Sequence, residues 1–262
     1  MTIVLIAVAL YLLATGLLIR TVALDEVGSH STWLWPASAA VLLHAIYHVV
    51  VWRSQGGADM HFFSALSLVS LGMAAATTLV GAQKRMVALG VVVFPLANIL
   101  LFTYHMHGHE PTLGLDWRLQ LHAWLALLAY ATLGIAALLA LMLWAQERAL
   151  RRREFHAWLR ALPPLTELET LLFRTIAVGF ALLTATLLTG VLFVEDFLGQ
   201  KLVHKTVLSV LSWLAFGALL FGRWRYGWRG SMAVRWTLAA MMLLLLAFFG
   251  SKFVIELVLQ RA

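Results

Sequence analysis

Eight stretches of about 20 mostly apolar residues run through this chain, at about 2–21, 32–52, 62–82, 86–104, 119–145, 172–194, 203–222 and 233–259. Each is long enough to cross the ~30 Å hydrocarbon core of a bilayer as a helix. Inside that core the backbone finds no water, so a spanning segment must satisfy its own hydrogen bonds. This constraint predicts an all-α integral membrane protein, a bundle of about eight transmembrane helices. Composition agrees: 62% of the residues are hydrophobic and 12% charged, against roughly 45–50% and about 25% in soluble domains. No hydrophilic stretch is long enough for a separate soluble domain, so residues 1–262 read as a single transmembrane domain.

Charge sets the expected orientation. Thirteen Lys and Arg flank the loops after the first, third, fifth and seventh runs, and six lie on the opposite side. The richer side is expected to be cytoplasmic, which places both termini on the outer, periplasmic side of a bacterial inner membrane. The formal charge of +7 is explained by these loops and does not call for nucleic acid. The first run has no basic residues before it, and Arg20 follows it. That charge order is the reverse of a cleaved signal peptide, so a retained helix is expected. The fifth run continues into "WAQERALRRREFHAWLR", which suggests a helix extending beyond the membrane as far as Pro163 and Pro164. "TELE" then reads as a capping box, with Thr166 as N-cap and Glu169 reaching back.

The chain has no cysteine. Disulfides, iron–sulfur ligation and Cys-type zinc sites are therefore excluded, as is covalent c-type haem attachment. Histidines remain as the metal-binding side chains of interest. On the expected topology His48 and His44 lie about 6 and 12 Å below the outer end of the second run, counting 1.5 Å per residue. Four residues apart, they share one helix face. His122 and His204 fall near the outer starts of the fifth and seventh runs. Four histidines from three helices thus occupy one leaflet. Polar side chains at that depth usually face a bundle interior or cavity, and imidazole is a common metal and haem-iron ligand. Each residue alone is equally explained by a hydrogen bond to a neighbouring helix.

Other polar features have plainer readings. His105, His107 and His109 occupy alternate positions in "FTYHMHGHE". They are candidates for a surface site taking Zn²⁺ or Cu²⁺, or simply a polar loop with Glu110 as its nearby carboxylate. His30, His61 and His156 have no visible partner. Lys252 and Glu256 are four apart and suit a helical ion pair. Trp33, Trp35, Trp52, Trp117 and Trp144 lie near helix ends, as an aromatic belt would. Trp52, Trp117 and Trp124 are also candidates for stacking on a porphyrin. The run "RALRRR" reads as a topology signal with a capacity for anionic lipid.

Three segments carry a family resemblance: "LHAWLALLAYATLGIAALLALML", "LPPLTELETLLFRTIAVGFALLT" and "HKTVLSVLSWLAFGALLFGRWRYGWRG". Together they resemble the cytochrome c assembly transmembrane family, which includes CcsA/ResC-type synthetase subunits and HemX-like proteins. The short bacterial YpjD-type inner-membrane branch resembles the chain most in length and helix number. The resemblance is strongest over about 116–255. Over the first four helices, His44 and "FFSALSLVSLGM" carry it. It implies haem b, held non-covalently. His122 sits where the synthetases have an outer-face haem-ligating histidine, just ahead of Tyr130 and Ala131. His44 sits near a family transmembrane histidine, and Lys205 matches a lysine after the synthetases' tryptophan-rich haem loop. That loop is replaced here by "EDFLGQKLVHK", which contains no tryptophan, and the histidine expected ahead of "GWRG" is missing. These departures argue against ligase activity and leave a haem pocket possible.

The reading that follows is a haem-binding or haem-handling membrane protein, with His122 as one axial ligand and His44 or His204 as the other. His48 is a further lining candidate. Its partners are the lipid bilayer and cytochrome c maturation or other membrane proteins. No nucleophile or catalytic carboxylate is visible in the outer half, so it is not read as an enzyme. The alternative is a haem-free membrane scaffold or regulator acting through the basic segment 148–160. A divalent-metal transporter fed by His105, His107 and His109 is disfavoured, because no inverted repeat is evident and only Pro95 with Asn98 hints at a broken helix.

Overall fold

Apolar runs of this length have one way to satisfy their backbones in lipid, and the helices follow them closely. The computed structural model describes residues 1–23, 32–81, 87–108, 116–153, 162–193 and 203–250. In chain order the helices are α1 (Thr2–Ala23), α2 (Leu34–Gln55), α3 (Phe62–Gly81), α4 (Val87–Met106), α5 (Trp117–Arg151), α6 (Leu165–Phe193), α7 (Val203–Tyr226) and α8 (Ser231–Leu245). A π-helical turn, Leu246–Gly250, continues α8. Among the described residues, eight helical segments are long and apolar enough to cross a membrane. Large side chains such as Leu12, Leu79, Leu128, Leu188 and Leu192 are exposed on them. An apolar outer surface of this kind suits lipid rather than water.

The described residues fall into two compact units, Met1–Gly114 with Glu154–Pro164, and Leu115–Arg153 with Leu165–Ala262. In the first, α1 packs against α2 and α4, and α3 packs against the same two helices. Tyr11, Leu18, Leu89, Phe94 and Leu101 fill the interior, and Ala7, Ala14, Ala37, Ala74 and Ala97 are buried among them. Such small residues let helices approach closely, which drives packing where lipid removes the hydrophobic advantage. In the second unit α5 packs against α6 and α8, and α7 packs against the same two. A Cβ at Gly179 of α6 would lie 2.5 Å from Leu133 of α5, so the α5–α6 contact needs hydrogen there. Polar ties complete the ring of helices. Ser212 Oγ donates to the Ala240 carbonyl at 2.8 Å, and Trp213 Nε1 donates to Thr184 Oγ1 at 2.9 Å.

Several sequence expectations change here. α5 continues past the fifth apolar run as far as Arg151, Arg153 turns out of it with φ 55°, and residues 154–161 of the expected extension lie outside the described residues. A left-handed arginine cannot continue a helix. The expected capping box does not form. Thr166 lies inside α6, where its carbonyl accepts from Thr170 Oγ1. Glu169 instead accepts the Gly230 backbone N–H at 2.7 Å, tying α6 to the turn before α8. Gly230 has φ 57°, and a Cβ there would meet Glu147 Oε1 at 2.6 Å. The "GWRG" turn therefore requires its last glycine on two counts. Trp35, Trp117 and Trp144 are exposed as belt residues are, but Trp33 is buried against Phe94, with ring centroids 6.1 Å apart. Lys252 and Glu256 lie outside the described residues.

Candidate functional site

In the second unit, the start of α5, the end of α6, the start of α7 and the end of α8 surround a cavity of about 170 Å³. Its wall includes His122, Ala126 and Tyr130 from α5; Thr186 and Gly190 from α6; Lys205 and Ser209 from α7; and Leu244, Ala247 and Phe248. Most of this surface is aliphatic or aromatic, with one imidazole and one amine set in it. That is the usual make-up of a ligand site, a largely apolar concavity with few polar groups.

The chemistry of His122 follows from its partner. His122 Nδ1 lies 3.1 Å from Thr189 Oγ1. The single hydroxyl proton of Thr189 is already directed at the Ala185 and Thr186 carbonyls, each 3.0 Å away. Oγ1 is thus left to accept from Nδ1–H. A neutral imidazole protonated at Nδ1 keeps its lone pair at Nε2. Holding one ring nitrogen as donor is how proteins fix a metal-ligating histidine's tautomer and orientation. Opposite, Tyr130 Oη donates to the Leu244 carbonyl at 2.6 Å. This bond meets α8 where it passes into the π-helical turn, two residues before Leu246. π-Turns inside helices are frequent at functional sites, because they re-aim side chains and free carbonyls. Here the turn supplies Ala247 and Phe248 to the cavity wall.

The first unit holds a different arrangement. His44 and His48 are both fully buried. His44 Nδ1 lies 3.2 Å from Tyr11 Oη, and His44 Nε2 lies 2.9 Å from Ser67 Oγ. Ser67 Oγ also meets His48 Nε2 at 3.0 Å. One hydroxyl has one proton, so Ser67 donates to one ring and accepts from the other. Both nitrogens of His44 are engaged in either order. Tyr104 stacks on His48 with centroids 4.7 Å apart, and its hydroxyl donates to Asp59 Oδ2 at 3.1 Å. Asp59, fully buried between α2 and α3, also accepts from the His61 backbone N–H at 3.2 Å and contacts His61 Nδ1. Burial pushes this carboxyl up, but the hydrogen bonds from His61 and Tyr104 outweigh it and hold it below the ordinary carboxylate value.

The histidine triplet is partly described. Tyr47 Oη meets His105 Nδ1 at 2.7 Å. His107 Nδ1 donates to the Thr103 carbonyl at 2.8 Å, and its ring stacks on Phe63 at 3.8 Å. The two rings have turned to separate partners. His109 and Glu110 lie outside the described residues, as do His30 and His156. Among the described residues no three His, Asp or Glu side chains gather as metal ligands would. His204 belongs to α7, one residue before Lys205, and its side chain is not described. The cavity wall holds no described tryptophan, so Trp52, Trp117 and Trp124 lie elsewhere.

The sequence reading passed over Tyr11, Ser67, Asp59 and Thr189. Asp59 carried a faint signal, an acidic residue two before a histidine just ahead of the third apolar run. Tyr11 and Thr189 carried little, because a lone hydroxyl in a spanning helix usually bonds its own backbone.

Among the described residues, fold and sites together define a helical, multi-pass membrane protein with a histidine-bearing apolar cavity in its second unit. The profile of the family described as cytochrome C assembly protein matches residues 32–259, and the chain belongs to that family. It is 30% identical over 258 residues to inner membrane protein YpjD of Escherichia coli K12, covering 97% of this chain and 98% of the relative. Over 131 residues it is 28% identical to protein HemX of Brevibacillus brevis, covering 49% of this chain and 48% of HemX. Over 89 residues it is 33% identical to the cytochrome c biogenesis protein CcsA of Prochlorococcus marinus MIT 9515, covering 33% and 28%.

Proposed function

We propose that this chain is a haem-handling protein of the bacterial inner membrane, holding haem b non-covalently in the cavity of its second unit. The observation that carries the reading is the Thr189–His122 pair, which leaves an unprotonated imidazole nitrogen on a cavity-lining side chain. The donor set suits haem. A neutral, oriented imidazole is an ordinary axial ligand, Tyr130 and Phe248 offer an apolar wall, and Lys205 offers a cation to a propionate carboxylate. The volume, about 170 Å³, is below the ~300–1,000 Å³ of enclosed small-molecule sites. A haem held here would therefore not be fully enclosed by the cavity, and His122, Tyr130, Phe248 and Lys205 are the residues that would hold it. When bound, haem supplies the iron chemistry, and the chain orients His122, excludes water and anchors a carboxylate. On sequence position alone, His204 next to Lys205 would be the candidate for a second ligand; its side chain lies outside the described residues. His44 has no ring nitrogen to offer.

On the charge count the cavity lies in the outer leaflet, with both termini periplasmic. The name of the CcsA relative supports delivery of haem toward cytochrome c maturation, and the YpjD relative supports residence in the inner membrane. The test is an absorption spectrum of the detergent-purified protein, oxidised and reduced. A Soret band with reduced α and β bands is expected, near one haem per chain, lost in His122→Ala and kept in His107→Ala. A haem-free spectrum that persists after haem is added back overturns the proposal. The small cavity favours one second reading, a haem-free scaffold or regulator acting through the basic segment 148–160, and that outcome would select it.

A further inference from the structure

At the opposite end of the second unit, the end of α5 and the start of α8 border an open cavity of about 320 Å³. Its lining carries Arg148, Arg151, Arg152 and Arg235, with Glu147, Trp144 and Ser231 between them. Among the described residues the lining thus holds four arginines and one carboxylate. Arg148 lies over the Trp144 ring at 5.4 Å. Among the described residues Arg148, Arg151 and Arg235 form no ion pair. Like charges gathered around a cavity repel one another unless an anion sits among them. Guanidinium forks match the geometry of phosphate oxygens.

Depth identifies the anion. Trp144 lies 27 residues after Trp117 on one continuous helix, or about 40 Å at 1.5 Å per residue. A bilayer measures about 40–45 Å with its headgroups. Exposed Trp117 at one end and exposed Trp144, Trp224 and Tyr226 at the other form the two aromatic girdles. The arginine cavity therefore sits in the headgroup layer. Exposed Leu141 and Met242 continue its apolar margin along α5 and α8. A soluble phosphate would use only the arginines, whereas a phospholipid would use both the arginines and this apolar margin.

We infer that this cavity binds the phosphate of an anionic phospholipid from the arginine-rich leaflet. The inference is independent of haem. Detergent-purified protein is titrated with phosphatidylglycerol, phosphatidylcholine and inorganic phosphate, and binding is read by native mass spectrometry and thermal unfolding. Phosphatidylglycerol should bind about tenfold more tightly than phosphatidylcholine, from roughly one surface-charge interaction per arginine reduced by screening. Arg151→Gln with Arg235→Gln should lose that preference, while Arg20→Gln should keep it. Equal binding of the two lipids to the unaltered protein overturns the inference, whether or not the double variant folds. Stabilisation by inorganic phosphate as strong as by phosphatidylglycerol overturns the lipid assignment in favour of a soluble phosphate ligand. Binding of neither also overturns it, and leaves the arginines for an acidic protein segment.

Discussion

His44 and His122 look alike in the sequence, each a histidine in the outer half of an apolar run, yet the two units use them in opposite ways. In the first unit Tyr11 and Ser67 occupy both nitrogens of His44, and the ring has no exposure. In the second, Thr189 occupies one nitrogen of His122 and the ring borders a cavity. A buried imidazole with two partners is a structural cross-link, because breaking either bond strands a polar group in apolar surroundings. An imidazole with one partner is oriented and keeps its second nitrogen available for a ligand. What separates the two is the number of hydroxyls within reach, which depth in the membrane does not reveal.

The largest effect should come from exchanging the two residues' fates. His122→Ala should remove bound haem altogether while leaving the thermal midpoint near that of the unaltered protein stripped of haem. His44→Ala should do the reverse, keeping the haem spectrum and lowering the midpoint. Loss of haem in the His44 variant at unchanged stability would break the comparison and restore His44 as a ligand. Next comes the residue behind the ligand. Thr189→Val should weaken haem about 10–100-fold, the usual cost of losing such a partner, and Thr189→Ser should restore it. Titrating the apoprotein with haem measures both, and an undiminished affinity in Thr189→Val would sink the tautomer argument. Smaller again is Ser67→Ala. It removes the hydroxyl shared by His44 and His48 and should cost about 1–3 kcal/mol for each stranded nitrogen, read as a fall in unfolding midpoint with haem binding unchanged.

The spans were legible because a bilayer imposes a length and forbids alternatives. Helix ends were legible to within a few residues, except where a local event intervened, as at Arg153. Glu169 shows a deeper limit. Its spacing from Thr166 fits a capping box, but the tertiary partner at Gly230 offered an unsatisfied N–H and won. Of the cavity-lining residues, His122 was legible from type and position and Lys205 only through the family resemblance. Thr189 and the π-helical turn at Leu246–Gly250 were not, since each depends on which faces of α5, α6 and α8 meet. His44 was legible as buried and polar, but not as saturated, because Tyr11 and Ser67 come from other helices.

Asp59 offers the finest probe of the first unit. Its carboxyl is held below the ordinary carboxylate value by His61 and Tyr104 against the opposing effect of burial. A carboxyl depressed on folding contributes stability that is fully present above its unfolded value, near 3.9. That contribution is lost as pH falls through the lower, folded value. The unaltered protein should therefore hold its midpoint from neutral pH down to about pH 5 and lose stability progressively below about pH 4. Asp59→Asn should be less stable at neutral pH, because an amide accepts less strongly from His61 and Tyr104 than a carboxylate. Its acid limb should be shallower, because the titrating group is gone. Haem affinity in the second unit should not follow either change. If it did, the cross-linked histidines of one unit and the ligand histidine of the other would be energetically coupled, and the contrast between them would have to be redrawn as a single site with two parts.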